Sequence, residues 1–91
     1  MNKGELVDAI SSKANVTKKQ AEDILTATTD TIVEAVAGGD KITLVGFGSF
    51  EPRDRAARDG RNPKTGEVLK IKATRVPAFS AGKVFKERVK G

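Results

Sequence analysis

The stretch Gly60-Arg61-Asn62-Pro63-Lys64-Thr65-Gly66 decides how this 91-residue chain is read. An Asn side chain can bond its own backbone, Pro presets φ, and Gly admits a left-handed residue, so Asn-Pro with bracketing glycines marks a chain reversal. Extended stretches, 53–58 and 68–76, flank it, which makes the heptapeptide the tip of a β-ribbon. A hairpin centred between Pro63 and Lys64 sets Arg55 opposite Lys72 and Ala57 opposite Lys70, with Arg53 nearby. Like charges across a ladder repel, and a two-stranded ribbon with little apolar surface is marginal in water. Residues 53–75 carry Arg53, Arg55, Arg58, Arg61, Lys64, Lys70, Lys72 and Arg75 against Asp54, Asp59 and Glu67. A ribbon so charged is expected to be completed by something anionic.

Working back towards the N-terminus, the apolar period changes. Ile42 and Leu44 alternate with Lys41 and Thr43, as in a half-buried strand. Val45-Gly46-Phe47-Gly48-Ser49-Phe50 then leads through a tight or bulged connection into a second strand. Before Gly38-Gly39 the period is helical. Asn2 with Glu5 reads as a capping-box-like start for a helix carrying Leu6, Val7, Ile10 and Ala14. Thr17 with Gln20 is a second capping box, opening a long helix with Ala21, Ile24, Leu25, Thr28, Ile32, Ala35 and Val36 on one stripe. Beyond the ribbon, Pro77-Ala78-Phe79-Ser80 leads to a last helix, with Ser80 as its expected N-cap, Lys83 in its first turn, and Val84, Phe85 and Val89 inward. The expected class is α+β in a single domain, 1–91. Residues 1–39 form a helical hairpin base, 40–52 and 76–80 an antiparallel three-stranded sheet and its connection, 53–75 the arm, and 81–91 the C-terminal helix.

Charge is segregated along the chain. The formal total is +5, yet the first 39 residues hold more acids than bases, while the arm and the C-terminal segment hold the excess of cations. Such segregation points to a polyanionic partner more strongly than the total does. The composition also excludes chemistry. With no Cys and no His, zinc sites of the usual kind, haem ligation by either residue, and Cys–His or Ser–His–Asp catalysis are ruled out. Gly46-x-Gly48 is no dinucleotide loop, because Glu51 stands where the third glycine belongs. Gly82-Lys83 is no Walker loop, because Pro77 replaces its first glycine and Val84 its Ser or Thr. No base-and-nucleophile or metal constellation is found, so no enzyme, cofactor or small-molecule substrate is expected. No long apolar run suits a membrane span, and Glu5 and Asp8 interrupt the place of a secretory leader, so a cytoplasmic location is expected.

Phe47-Gly48-Ser49-Phe50, the run RDRAAR at 53–58, GRNPKTG at 60–66, and Pro77-x-Phe79 with Gly82-Lys83 together resemble the bacterial histone-like HU family, relatives of integration host factor. Met1-Asn2-Lys3 and Glu5-Leu6-Val7 resemble its first helix, so the likeness runs through the whole chain. Gly4 departs from the usual Ser or Thr, at some expense to that helix, and Ser80 departs from the usual Lys, removing a phosphate contact. The resemblance implies an intertwined homodimer with long β-ribbon arms. It further implies binding of double-stranded DNA with little sequence preference, bending of the duplex and compaction of the nucleoid; this family is itself a standing example of architectural minor-groove binding. A sequence-selective subunit like integration host factor is the alternative.

The residues support a dimer on separate grounds. With the arm set aside, too little chain remains to bury Phe47, Phe50, Phe79 and Phe85 in a monomer. The expected shared core draws on Phe47, Phe50, Phe79, Leu44 and Ile32. Each arm, about eleven residues a side, spans roughly 35 Å at a strand rise of about 3.3 Å. The expected DNA contacts are Lys3, Arg53, Arg55, Arg58, Arg61, Asn62, Lys64, Lys70, Lys72, Arg75, Lys83 and Lys86. Pro63 is the expected wedge between base pairs, and nicked, gapped or distorted DNA the expected preference.

Overall fold

The computed structural model describes residues 1–91, which divide into two compact units, Met1–Glu34 and Ala35–Gly91. The first is helical. Helix α1, Lys3–Ala14, starts where the Glu5 N–H donates to Asn2 Oδ1 (2.9 Å), and it ends on Asn15, which takes the left-handed conformation (φ 56°). Helix α2, Lys18–Ala37, opens with a reciprocal capping box: the Gln20 N–H donates to Thr17 Oγ1 (3.1 Å) and the Thr17 N–H to Gln20 Oε1 (3.0 Å). Two of the orphan donors at that terminus are satisfied without water. An ion pair from Lys18 to Asp8 (3.3 Å) ties the start of α2 to α1. Val7, Ser11 and Ala21 are buried.

Helix α2 stops at the glycines. The Asp40 N–H reaches the Ala35 carbonyl (2.9 Å) and the Gly39 N–H that of Val36 (3.0 Å), with Gly39 left-handed at φ 93°. This is the six-to-one closure that a glycine past a helix end permits. Strand β1, Ile42–Leu44, follows, then a turn closed by the Phe47 N–H to the Leu44 carbonyl (3.0 Å), with Gly46 at positive φ. Strand β2, Gly48–Arg55, pairs antiparallel with β1 on one side. On its other side it pairs with β5, Thr74–Ala81, so the sheet order is β1-β2-β5. Strands β3, Arg58–Arg61, and β4, Val68–Ile71, form a separate two-stranded ladder that carries the tip. Helix α3, Lys83–Lys90, closes the chain.

Two sequence expectations fail here. Ser80 is not an N-cap. It lies in β5 opposite Ser49, and the N-cap of α3 is Gly82, with no side-chain cap bond. Packing chooses Gly82: its N–H donates to the Phe47 carbonyl (2.8 Å), and a Cβ there would lie 3.1 Å from the Phe47 carbonyl carbon and 3.3 Å from the Gly48 nitrogen. Of the three apolar residues expected inward on α3, only Phe85 is half-buried, while Val84 and Val89 are exposed.

The aromatic residues gather on one face of the sheet. Phe50 and Phe79 face each other across β2 and β5 with ring centroids 4.8 Å apart, and Phe47 sits 5.4 Å from both Phe79 and Phe85. Such tilted pairs add to simple burial. Yet Phe47 and Phe79 remain 45% and 43% exposed, Leu44 is also exposed, and Ile32 and Phe50 are half-buried. No large side chain in the chain is fully buried. No helix is long and apolar enough to cross a membrane.

Candidate nucleic-acid interface

The tip is built by its own backbone. The Asn62 N–H donates to the Glu67 carbonyl (2.9 Å), and the Gly66 N–H returns to the Asn62 carbonyl (2.8 Å), with Gly66 left-handed at φ 72°. Asn62 Oδ1 accepts from the Lys64 N–H (2.9 Å), and Thr65 Oγ1 from the Glu67 N–H (3.3 Å). Pro63-Lys64-Thr65-Gly66 is therefore the loop, and the hairpin centres between Lys64 and Thr65. That is one residue beyond the centre expected from sequence. The cause is Gly66, which takes the positive-φ position that closes a four-residue loop.

The shift rewrites the charge pattern. Arg55 stands opposite Thr74 rather than Lys72, and Lys70 opposite Asp59 rather than Ala57. Asp54 faces Arg75, whose Nε donates to Asp54 Oδ1 at 3.1 Å. The like-charged pair expected, Arg55 with Lys72, does not form, and the ladders instead set Asp54 across from Arg75 and Asp59 across from Lys70, so that repulsion is absent.

The thirteen residues expected to touch DNA sort by their partners. Arg53 reaches Glu51 (3.4 Å) and the Ser80 hydroxyl (3.3 Å), and Arg75 is held by Asp54. Arg55, Arg58, Arg61, Lys64, Lys70 and Lys72 form no ion pair, and all six are exposed. Pro63 is exposed at the tip, and Asn62, half-buried, has its side-chain oxygen committed to the turn and only its NH2 group free to donate outward. Lys83 and Lys86 are exposed on α3. Lys3 opens α1 in the helical unit. The arm cations are thus brought together on one ribbon, while Lys3 belongs to the other unit.

Three features escaped the sequence reading. Asp54 restrains Arg75. Val68, Leu69 and Ile71 put apolar surface on the ribbon, 58%, 48% and 40% exposed. The alternation V-L-K-I signals a strand, but nothing local says that no core covers it. Finally, the ribbon is interrupted symmetrically, at Ala56-Ala57 and Lys72-Ala73. There Asp54, Arg55, Ala56, Ala73, Thr74 and Arg75 line an open groove of about 520 Å³.

Residues 1–90 match the family model described as bacterial DNA-binding protein. The chain belongs to that family. It is 71% identical over 89 residues to the DNA-binding protein HU of a Nostoc species, covering 98% of this chain and 95% of the relative. It is 54% identical to HU of Clostridium pasteurianum, over 98% of both chains. Among solved structures, the Anabaena HU–DNA cocrystal matches with a TM-score of 0.89 and 71% identity, covering 98% of this chain and 97% of that one. An HU mutant from Thermotoga maritima matches with a TM-score of 0.73 and 40% identity, over 98% of this chain and 99% of the other. The bacterial DNA-binding family is architectural and not an enzyme family.

Proposed function

We propose that this chain is a nucleoid protein that binds double-stranded DNA as a homodimer with little sequence preference, bending and compacting it with its ribbon arms in the minor groove. The observation that carries this reading is the set of six exposed, unpaired cations along the arm and its tip. Unpaired Arg and Lys bind phosphates by releasing condensed counterions, which needs no base contacts. The similarity to an HU found in a DNA cocrystal supports the same partner.

The dimer rests on the phenylalanine face. Rings half exposed beside Leu44, with Val45 at 98% exposure nearby, form an apolar patch that a second copy would cover. Pro63 would wedge into a base step, and duplexes that have already lost stacking would bind better. Titrating purified protein into intact and nicked duplexes over a salt series tests the whole reading. A steep salt dependence shared by unrelated sequences supports it. Salt-insensitive binding would refute it, and a strong preference for one sequence would favour a subunit like integration host factor.

A further inference from the structure

Proline shows which pairs of the ribbon exchange hydrogen bonds. In an antiparallel ladder, pairs that trade two N–H···O bonds alternate with pairs that trade none, and the two kinds point their side chains to opposite faces. Pro52 faces Pro77, and neither has an N–H, so theirs is a non-exchanging pair. The exchanging pairs on this ladder are therefore Glu51↔Ala78, Arg53↔Val76 and Arg55↔Thr74. The tip calibrates the outer ladder independently. The Asn62 N–H bonded to the Glu67 carbonyl makes Asn62 and Glu67 bond-facing, so the next exchanging pairs inward are Gly60↔Leu69 and Arg58↔Ile71.

In an uninterrupted ladder, exchanging pairs recur every second residue. Arg55 and Arg58 are three apart. The interruption at Ala56-Ala57 and Lys72-Ala73 therefore inserts one extra residue on each strand and shifts the phase of the alternation. Side-chain contacts agree on each side of it. Arg75 meets Asp54, its own cross-strand partner, and a Cβ on Gly60 would lie 3.2 Å from Ile71 Cδ1, on the same face.

The slip sorts the charges. The exchanging face carries Arg53, Arg55 and Arg58 with Val76, Thr74, Ile71 and Leu69, and the paired arm residues on it include no acid, Glu67 standing beyond them at the tip. The opposite face continues from Phe50 and Phe79 through Pro52 and Pro77. It carries both acids of the paired strands, Asp54 and Asp59, each opposite a cation, Arg75 and Lys70. If residues 53–61 and 68–76 ran as one unbroken ladder, plain alternation would put Asp59 on the face of Arg55, and Asp54 on the face of Arg58.

We propose that the paired interruption is a phase-setting device that gives each arm one DNA-facing side, on which Arg53, Arg55 and Arg58 meet phosphates while Leu69 and Ile71 lie on deoxyribose, and that the side bearing Asp54 and Asp59 faces away. Charge complementarity selects the occupant, since an acid-free row of arginines beside apolar side chains matches a sugar–phosphate backbone. The proposal rests on the DNA-binding reading and narrows it, because two of the six unpaired cations, Arg61 and Lys70, fall on the side that faces away.

The chain has no Cys, so single thiols report on single faces. Leu69→Cys and Val68→Cys place them on neighbouring residues of opposite faces. With the dimeric protein saturated by a duplex, the thiol at 69 should lose most of its reactivity towards a small alkylating reagent, and the thiol at 68 should keep most of its own. Equal protection, or greater protection at 68, overturns the assignment. A charge-matched pair gives a second readout that needs no label. Arg58→Ala should lower the slope of log affinity against log salt by about 0.9 for each phosphate it no longer neutralises, and Lys70→Ala by clearly less. Equal slopes for the two variants overturn the assignment while leaving DNA binding intact. Absence of any complex with the parent protein would instead overturn the DNA-binding reading itself.

Discussion

Replacing Pro63 with Ala separates a wedge from a turn-former, because the tip does not depend on this residue for a single hydrogen bond. The bonds that hold the loop run from Asn62 N–H to Glu67, Gly66 N–H to Asn62, Lys64 N–H to Asn62 Oδ1 and Glu67 N–H to Thr65 Oγ1, and all survive the substitution. What is lost locally is the restriction of φ in the unbound tip, worth about 0.4–1 kcal/mol. At about 1.4 kcal/mol per factor of ten, that is roughly a two- to fivefold weakening, shared by every DNA substrate. A wedge predicts a different pattern. Unstacking a base step costs a few kcal/mol, offset by contacts available only to bent DNA, and a nick removes part of that cost beforehand. Pro63→Ala should therefore reduce bending and erase most of the preference for nicked over intact duplex, while weak binding to intact duplex changes little. Fluorescence transfer between the ends of a short duplex reads the bend, and titration of matched intact and nicked duplexes reads the preference. If the variant bends DNA as the parent does and keeps its preference for nicks, Pro63 is a turn residue and the wedge is wrong.

Sedimentation at micromolar concentration should give twice the 9.7 kDa of one chain, and a folded monomer there would contradict the covered phenylalanine face. Phe47→Ala should cost about 3–5 kcal/mol in denaturant unfolding if a second copy buries the ring; a negligible loss would leave it exposed in solution too. Arg55→Ala should weaken binding to all sequences alike and flatten the salt slope by about 0.9 per phosphate released. Gly48→Ala places a Cβ 2.5 Å from the Ser80 carbonyl oxygen and 2.6 Å from the Phe79 ring. It should destabilise by about 1–3 kcal/mol in thermal unfolding, and an unchanged midpoint would show that β5 yields freely there. Thr17→Ala removes one half of the α2 capping box and should cost about 1 kcal/mol, read as loss of helical signal at lower denaturant.

Much of the interface was legible because its causes are local. Eight cations in 53–75, a reversal signal between two extended stretches and the lack of any catalytic constellation all survive being read one residue at a time. Asp54 and the apolar residues of β4 were not legible, because their meaning depends on what stands across the ladder. Arg53 and Arg75 looked as free as their neighbours until β2 and β5 brought Glu51, Asp54 and Ser80 within reach.

By itself the sequence determined the starts of α1 and α2, the glycine stop of α2 and the existence of the arm. Caps and turns are decided within a few residues, by side chains that bond their own backbone and by glycines that accept a left-handed φ. Only the tertiary structure decided the register of the arm, the strand placement of Ser80 and the choice of Gly82 to begin α3. Several loop closures suit GRNPKTG, and a hairpin one residue longer or shorter satisfies the same local rules. The choice among them falls to pairs distant in sequence, Arg55 with Thr74 in the arm and Ser49 with Ser80 in the sheet, together with the close approach of Gly82 to the backbone around Phe47. Those interactions exist only once the chain has closed on itself, so no window of sequence contains them.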